Sequence, residues 1–282
     1  MASRRSFLAG LLAAVPTAAR PSPARPKFGL QTYSLRYEAK KDLAATLELI
    51  SELGFVDVEV SGFYDRTAKQ YRRMLDDTGL EAVSLMASYD DLEKRPERVA
   101  EDARTLGARF VVASTLPHES YMTMEECRRG AEFLNDRGAI LAKSDLRLCY
   151  HIHGSEFRPS PDGTVFDTML RLTDEKLANF EMDIFWVAFA RHDPVDFLRR
   201  YPGRFPVTHI KDIRPGIELG RLARDVREED SVPLGTGIVD IPAALEAAAR
   251  YGVEQHFIED EAVNAEEQIR TSIGYLRDRN YW

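Results

Sequence analysis

The sequence predicts a single (β/α)₈ barrel of the TIM type, and three observations lead to this fold. Short apolar runs rich in Val, Ile and Phe alternate eight times with helical patterns, which indicates consecutive strand–helix units around a parallel sheet. The chain has 282 residues, which suits one barrel of about 250 residues. A doubly wound open sheet is the second choice, because no glycine cluster follows the first apolar run.

Each predicted element follows from a local pattern. The predicted strands are residues 28–33, 56–60, 82–86, 110–113, 146–151, 180–185, 206–211 and 255–259. The predicted helices are residues 42–53, 68–77, 97–106, 124–143, 241–251 and 266–277. Gly54, Gly79 and Gly107 directly follow helical patterns, where glycine is the usual residue that ends a helix. A long polar stretch, residues 214–236, separates the seventh strand from its helix.

Composition excludes several classes of protein. With 44% hydrophobic and 30% charged residues, the chain can bury a sizeable core and is not a disordered protein. A net charge of −8 argues against nucleic acid as a partner. Cys127 and Cys149 are too few for a disulfide framework.

The first 26 residues are predicted to be an export signal and a linker, which leaves residues 27–282 as the barrel domain. Arg4 and Arg5 precede a short apolar stretch and then small residues, the order typical of a cleaved signal. The segment around the paired arginines resembles the twin-arginine signal, so a periplasmic or secreted protein is expected. No later segment approaches the ~20 apolar residues of a membrane span, and no stable membrane anchor is expected after cleavage.

Ionisable residues gather at the carboxyl ends of the predicted strands, where barrel enzymes place their catalytic groups. They are Glu59, His151, His153, Glu156, Asp183, His209, Lys211, Asp212 and Glu259. Groups of this kind are costly to bury unless they are paired or coordinated. Carboxylates mixed with imidazoles suit Mn²⁺, Mg²⁺, Co²⁺ or Zn²⁺. The sequence therefore predicts one divalent metal ion at the mouth of the barrel, without choosing among these metals.

Several fragments, in order along the chain, resemble the sugar phosphate isomerase/epimerase family of xylose-isomerase-like barrels. The fragments are residues 28–34, 54–59, 150–157, 182–187, 209–212, 235–240 and 257–260. The resemblance implies a metal held by Asp183, His209, Glu259 and a fourth ligand from the fifth strand. Better-known epimerases carry a Glu within that strand, where this chain has His151 or His153. We expect Glu156 to be the fourth ligand, with a histidine ligand as the alternative.

The same resemblance implies roles in catalysis on a small carbohydrate. Glu259, Lys211 and His151 are the candidate catalytic groups, and a desolvated Lys211 with a depressed pKa could act as an acid or base. Glu59, His153 and Trp186 are the candidate substrate contacts, although Glu59 could equally be a structural partner and Trp186 could simply pack.

The expected activity is isomerisation or epimerisation through an enediolate beside a keto or aldehyde group. A lyase or hydratase acting on a 3-keto-glycoside at the same metal site is the first alternative. A sugar-binding barrel without catalysis is the second, and endonuclease-like hydrolysis is the least favoured because the chain is acidic.

Overall fold

The computed structural model describes residues 26–221 and 225–282, in which eight parallel strands form a closed barrel. Neighbours in the chain are neighbours in the barrel, and the first strand pairs with the last, with Gly29 opposite Phe257. The strands are β1 (Phe28–Gln31), β2 (Asp57–Ser61), β3 (Glu81–Ala87), β4 (Phe110–Ala113), β5 (Arg147–His151), β6 (Ala178–Asp183), β7 (Val207–Ile210) and β8 (Gln255–Ile258). The predicted (β/α)₈ fold is confirmed.

Helices connect successive strands. They are α1 (Arg36–Lys41), α2 (Leu43–Glu52), α3 (Ala68–Thr78), α4 (Tyr89–Lys94), α5 (Pro96–Leu106), α6 (Met124–Ala142), α7 (Val165–Leu172), α8 (Ile184–Phe189), α9 (Pro194–Arg200), α10 (Ile241–Tyr251) and α11 (Ala265–Asp278). Short 3₁₀ segments are Thr32–Leu35, Ser155–Phe157 and Glu228–Asp230, and short antiparallel pairs join Pro159–Ser160 to Gly163–Thr164 and Asp212–Ile213 to Ser231–Val232.

Local sequence explains where the longer helices begin and end. Thr67 and Gln70 form a reciprocal capping box at the start of α3, and Thr123 and Glu126 do the same for α6. Each box satisfies backbone N–H groups that the first helical turn leaves without partners. Gly79 ends α3 with a φ of 71°, a conformation that glycine adopts without steric cost.

An apolar layer fills the barrel below its mouth. It consists of Val83, Phe110, Val112, Cys149, Val207 and Phe257. A Cβ atom on Gly29 would lie 2.7 Å from the Asp57 carbonyl oxygen and 2.8 Å from Cδ1 of Phe257, so only glycine lets the Phe257 ring fill this space. Because this layer is closed, the polar groups of the barrel collect at its carboxyl end.

β1 and β6 each end two residues earlier than predicted, for the same physical reason. The side chain of Gln31 accepts a hydrogen bond from the backbone N–H of Tyr33 at 3.0 Å and starts a 3₁₀ turn. The carboxylate of Asp183 accepts hydrogen bonds from the N–H groups of Phe185 and Trp186 at 2.8 and 3.3 Å and starts α8. In both cases the side chain of the last strand residue accepts hydrogen bonds from the backbone N–H groups that follow it. These N–H groups then do not pair with the neighbouring strand, and a helical turn begins.

The predicted export signal and linker span residues 1–26, and residues 1–25 lie outside the described residues. Within the described ranges, no helix is both long and apolar enough to cross a membrane. Cys127 and Cys149 are buried free thiols.

Candidate active site and metal centre

Ionisable side chains converge at the mouth of the barrel, above the apolar layer. β6 supplies two of them, because Glu181 and Asp183 are two residues apart and therefore lie on the same side of the strand. The buried members of this cluster are Glu59, His151, Glu181, Asp183, His209, Lys211 and Glu259. Their contacts decide which of them remain available for a ligand.

His209 lies at the centre of the cluster and joins carboxylates on both sides of its ring. Its Nε2 atom lies 2.8 Å from Oε1 of Glu59 and 3.2 Å from Oε2 of Glu181. Its Nδ1 atom lies 3.2 Å from Oε2 of Glu259. Burial alone would lower the pKa of His209, but Glu181 and Glu259 outweigh burial and raise this pKa well above its ordinary value.

His151, Asp183 and His209 bring potential ligand atoms within 4.8 Å of one another, and so do Glu59, Glu181 and His209. In the first group, Nε2 of His151 lies 3.9 Å from Oδ2 of Asp183, while Nδ1 of His151 lies 2.7 Å from Oε2 of Glu181. The contact with Glu181 orients the imidazole so that its other nitrogen faces Asp183, an arrangement found around metal-binding histidines.

The residues present fit a divalent cation. Oδ2 of Asp183 and Oε1 of Glu181 are buried without a hydrogen-bond partner among the described residues. Burial is the main cause that raises the pKa of Asp183, to about 7, and that of Glu181 well above its ordinary range. A cation beside these oxygens would compensate the cost of burying them. Neutral imidazole and carboxylate are ligands shared by Zn²⁺, Mn²⁺ and Co²⁺. Because the pKa of His209 is raised without a cation, its imidazole would release a proton when the metal binds.

The predicted metal ligands are not all brought together. Asp183 and His209 meet in the first group, where the histidine alternative, His151, joins them. Glu259 contacts the Nδ1 side of His209 but belongs to neither group of potential ligands among the described residues. It reaches the cluster through His209 and Lys211.

Glu156 lies away from both groups. Its carboxylate accepts a hydrogen bond from the hydroxyl of Tyr150, a buried residue one position before His151 on β5. Adjacent residues of a strand point to opposite sides, so Tyr150 faces the helices when His151 faces the barrel interior. Gly154, with a φ of 88°, and the 3₁₀ turn that follows direct Glu156 back towards Tyr150. In this geometry Tyr150 donates to Oε1 of Glu156, while Oε2 of Glu156 is buried without a hydrogen-bond partner among the described residues.

Lys211 is charged, contrary to the expected depressed pKa. Its Nζ atom lies 3.2 Å from Oε2 of Glu259 and 2.8 Å from Oε1 of Glu261. Burial alone would lower the pKa of Lys211, but Glu259, Glu261 and Asp183 outweigh it and raise the pKa. The same attraction, with that of His209, outweighs burial at Glu259 and lowers its pKa well below its ordinary value. Lys211 and Glu259 thus form a buried ion pair.

The three predicted substrate contacts occupy different places. Glu59 is fully buried, with hydrogen bonds from Gln31 at 2.6 Å and from Ser84 in addition to its contact with His209, so the structure makes it a partner that orients His209. Trp186 packs within α8, and its Nε1 atom is buried without an acceptor among the described residues.

His153 lies at the mouth, where its ring centre is 4.5 Å from that of His151 and 5.7 Å from that of Trp186. Burial lowers the pKa of His153 to about 4, so its imidazole is neutral near pH 7.

Two residues of the cluster, Glu181 and Glu261, were not predicted from the sequence. Glu181 was recognisable, because it alternates with Asp183 on one side of a predicted strand. Glu261 follows the end of β8 and gave no signal. Asp212, one of the ionisable residues expected at the mouth, accepts hydrogen bonds from the N–H groups of Gly235 and Gly237, each at 2.9 Å, and orders the loop after β7.

Known proteins resemble this chain in sequence and in fold. An inosose dehydratase of Clostridium botulinum is 25% identical over 194 residues, which cover 60% of this chain and 64% of that relative. The match therefore spans less than two thirds of the relative's length. A sugar phosphate isomerase/epimerase of Parabacteroides distasonis superposes with a TM-score of 0.74 at 24% identity, covering 93% of this chain and 99% of that one.

A further solved structure, the IOLI protein with a binding zinc atom, has a TM-score of 0.70 at 19% identity and covers 91% of this chain and 99% of its own. At these identities, the structural similarities concern the fold. The family model described as xylose isomerase-like TIM barrel matches residues 47–279. Because this match includes most of the barrel, the chain belongs to the xylose isomerase-like TIM barrel family.

Proposed function

We propose that the protein is a metal-dependent lyase that removes an oxygen leaving group from the position β to the carbonyl of a cyclic, sugar-like ketone. The observation that carries this proposal is the buried group of His151, Asp183 and His209 beside the Lys211 ammonium. The inosose dehydratase relatives support an elimination that releases water. The expected isomerase or epimerase activity becomes the second candidate.

A divalent cation held by His151, Asp183 and His209 would supply Lewis-acid polarisation of the substrate carbonyl. Lys211 places a buried positive charge beside this group, where it stabilises negative charge that develops on an enediolate oxygen. Trp186 offers its Nε1–H as a buried donor for a substrate hydroxyl. These groups bind and orient a ketone.

His153 is the candidate general base. It lies at the mouth, half-buried, and the described residues provide no hydrogen-bond partner for either ring nitrogen. Lys211 and Glu259 are held by each other and by Glu261 and His209, so they are not free to exchange protons with a substrate. Among the described residues of the site, His153 is the one histidine without a hydrogen-bond partner. A single accessible imidazole favours elimination over epimerisation, which requires proton carriers on two faces of the substrate.

The reaction balances without an oxidant. His153 takes the α-proton, and the electrons of that C–H bond form the enediolate. As the carbonyl re-forms, these electrons make the second bond between the α and β carbons and the β C–O bond breaks. The departing oxygen takes up the proton that His153 removed. The net change for inosose is the loss of one water molecule.

The test uses inosose with the purified protein, loaded separately with Mn²⁺, Co²⁺ and Zn²⁺. Mass spectrometry should detect a product lighter by one water, and a His153→Asn variant should lose most of this activity. His192→Asn is the matched control, since the ring of His192 packs on Phe157 outside the cluster. Exchange of the α-proton in D₂O without loss of water would instead favour an isomerase, and no exchange would favour a sugar-binding protein.

A further inference from the structure

Two neighbouring cavities lie at the carboxyl ends of β1–β3. Their volumes are about 710 and 380 Å³, and Ser61 and Gly62, where β2 ends, line both of them; together they are called the cleft. Each cavity by itself has a volume within the range of about 300–1,000 Å³ that is usual for small-molecule sites. The cleft therefore offers space for a ligand larger than the one ring that the metal group would hold.

Contacts through one or two intermediate residues connect the walls of the cleft to the site on two sides. On one side, Ser61 follows Glu59 by two residues on the same face of β2. Met86 also lines the larger cavity, and its sulfur lies 3.8 Å from Nε2 of Gln31, which donates to Glu59.

On the other side, Lys211 contacts Oε1 of Glu261 at 2.8 Å, and the backbone carbonyl of Glu261 accepts a hydrogen bond from Arg36 at 2.8 Å. Arg36 is itself part of the wall of the smaller cavity.

Tyrosines line the smaller cavity and remain accessible. Tyr33 is 42% exposed and Tyr37 is 37% exposed, and the guanidinium of Arg36 lies 4.7 and 4.5 Å from their ring centres. Arg36 is fixed by a 2.6 Å ion pair with Glu228, which holds both rings in place. The rings of Tyr33 and Tyr37 are therefore held in fixed positions by Arg36, and part of the surface of each ring remains exposed to solvent in the cavity wall.

The loop after β2 reaches this wall through unusual backbone conformations. Tyr64 and Asp65 have φ angles of 48° and 60°, and Gly62 precedes them with 85°. Left-handed conformations of non-glycine residues cost free energy and persist where the surroundings hold them, often at ligand sites. Here they bring Tyr64 to the smaller cavity, opposite the segment that carries Tyr33 and Tyr37.

We propose that this cleft binds a second carbohydrate ring, so that the substrate is a two-ring glycoside. The apolar C–H face of a pyranose packs on a tyrosine ring, while Ser61, Lys40 and Glu228 in the same wall can hydrogen-bond its hydroxyls. An aromatic surface surrounded by hydrogen-bonding side chains matches this combination of an apolar face and polar edges.

The assignment of the second ring as a leaving group rests on the proposed function. In that reaction the α C–H bond and the β C–O bond break, and a carbon–carbon double bond forms. The oxygen leaves with the second ring as an alcohol after it takes up the proton that His153 removed from the α carbon. The keto-glycoside is thus converted to an unsaturated ketone and an alcohol, and no other reactant is consumed.

Binding of unreactive sugars tests the subsite apart from the chemistry. Calorimetry on the manganese-loaded protein compares D-glucose with cellobiose, maltose, sucrose and trehalose. We expect at least one disaccharide to bind about tenfold or more tightly than glucose. Tyr33→Ala and Tyr37→Ala should each weaken that disaccharide roughly two- to tenfold, with little effect on glucose.

Tyr251→Ala is the control, because Tyr251 ends α10, just before β8 begins, and does not line the cleft. Equal affinities for glucose and every disaccharide, or affinities unchanged in both cleft variants, would overturn the proposal. Disaccharide binding together with no elimination from inosose would contradict the proposed lyase and leave the subsite intact. Elimination from inosose without a disaccharide preference would support the lyase and remove the subsite.

Discussion

Nε2 of His151 faces Oδ2 of Asp183 across 3.9 Å, a distance too long for a hydrogen bond. Each side chain is fixed from behind, His151 by Glu181 and Asp183 by the first N–H groups of α8. Two ligands bound to one cation at about 2.0–2.2 Å lie a little closer together than this. The pair is therefore positioned to close on a metal ion with a small movement of side chains.

Asp183→Asn should weaken metal binding by roughly 10- to 100-fold or more, because it removes the charge of the one fixed carboxylate in the first group. Metal content after dialysis, measured by elemental analysis, provides the readout. Removal of the metal with a chelator should abolish catalysis in the wild type, and added Mn²⁺, Co²⁺ or Zn²⁺ should restore it.

Glu156→Gln is the informative comparison. The sequence predicts Glu156 as a metal ligand because it follows the end of β5, whereas in the structure its carboxylate accepts a hydrogen bond from Tyr150. It should retain the metal content of the wild type. Loss of metal from Glu156→Gln with retention in Asp183→Asn would reverse the assignment and support the ligand predicted from the sequence.

Lys211→Met should reduce kcat by roughly 10²- to 10³-fold, because it removes the buried positive charge that stabilises an enediolate. Metal content should remain, as Lys211 is not a ligand. Steady-state kinetics with inosose and elemental analysis measure the two effects. Lys143→Met, an exposed lysine after α6, is the matched control. Equal loss of activity and metal in Lys211→Met would mean that Lys211 acts through the metal group.

Tyr150→Phe should lower the free energy of unfolding by about 1–3 kcal/mol, because it leaves the Glu156 carboxylate buried without the donor it has now. Activity per folded molecule should change little, since Tyr150 faces away from the barrel interior. Urea denaturation followed by circular dichroism measures the stability. A large loss of kcat with unchanged stability would argue that Tyr150 contributes to catalysis.

The sequence was sufficient for those features that depend on local patterns. The positions of His151, Asp183 and His209 at the ends of predicted strands placed them at the mouth, and the apolar runs predicted all eight strands. Glu156 follows a glycine and lies in a 3₁₀ turn beyond the strand, so alternation does not predict where its side chain points.

The ionisation of Lys211 depends on Glu259 and Glu261, which lie about fifty residues away in the chain and approach it only in the closed barrel. Desolvation by itself predicts a lowered pKa for Lys211, which is the wrong direction because these two carboxylates raise it. The export signal and linker at residues 1–26 stay a prediction.

Asp167 should make the stability of the protein dependent on pH in the acid range. Burial alone would raise the pKa of its carboxyl, but hydrogen bonds from Thr164, Tyr201 and Arg200 outweigh burial and lower the pKa to about 2. A carboxyl with a lowered pKa in the folded state stabilises the protein above its ordinary pKa, and this stabilisation disappears as the pH falls from about 4 to about 2. Since Arg200 is one-third exposed, solvent screening limits the contribution to about 1–2 kcal/mol.

Asp167→Asn should therefore be less stable than the wild type between pH 5 and 7, and the difference should shrink towards pH 2, where Asp167 is itself protonated. Urea denaturation at several pH values gives this difference directly. Asp162→Asn, at an exposed site in the turn between the short strands nearby, should show no comparable pH-dependent difference. A difference between Asp167→Asn and wild type that stays constant from pH 7 to pH 2 would show that Asp167 stabilises the fold by packing and capping rather than by its charge.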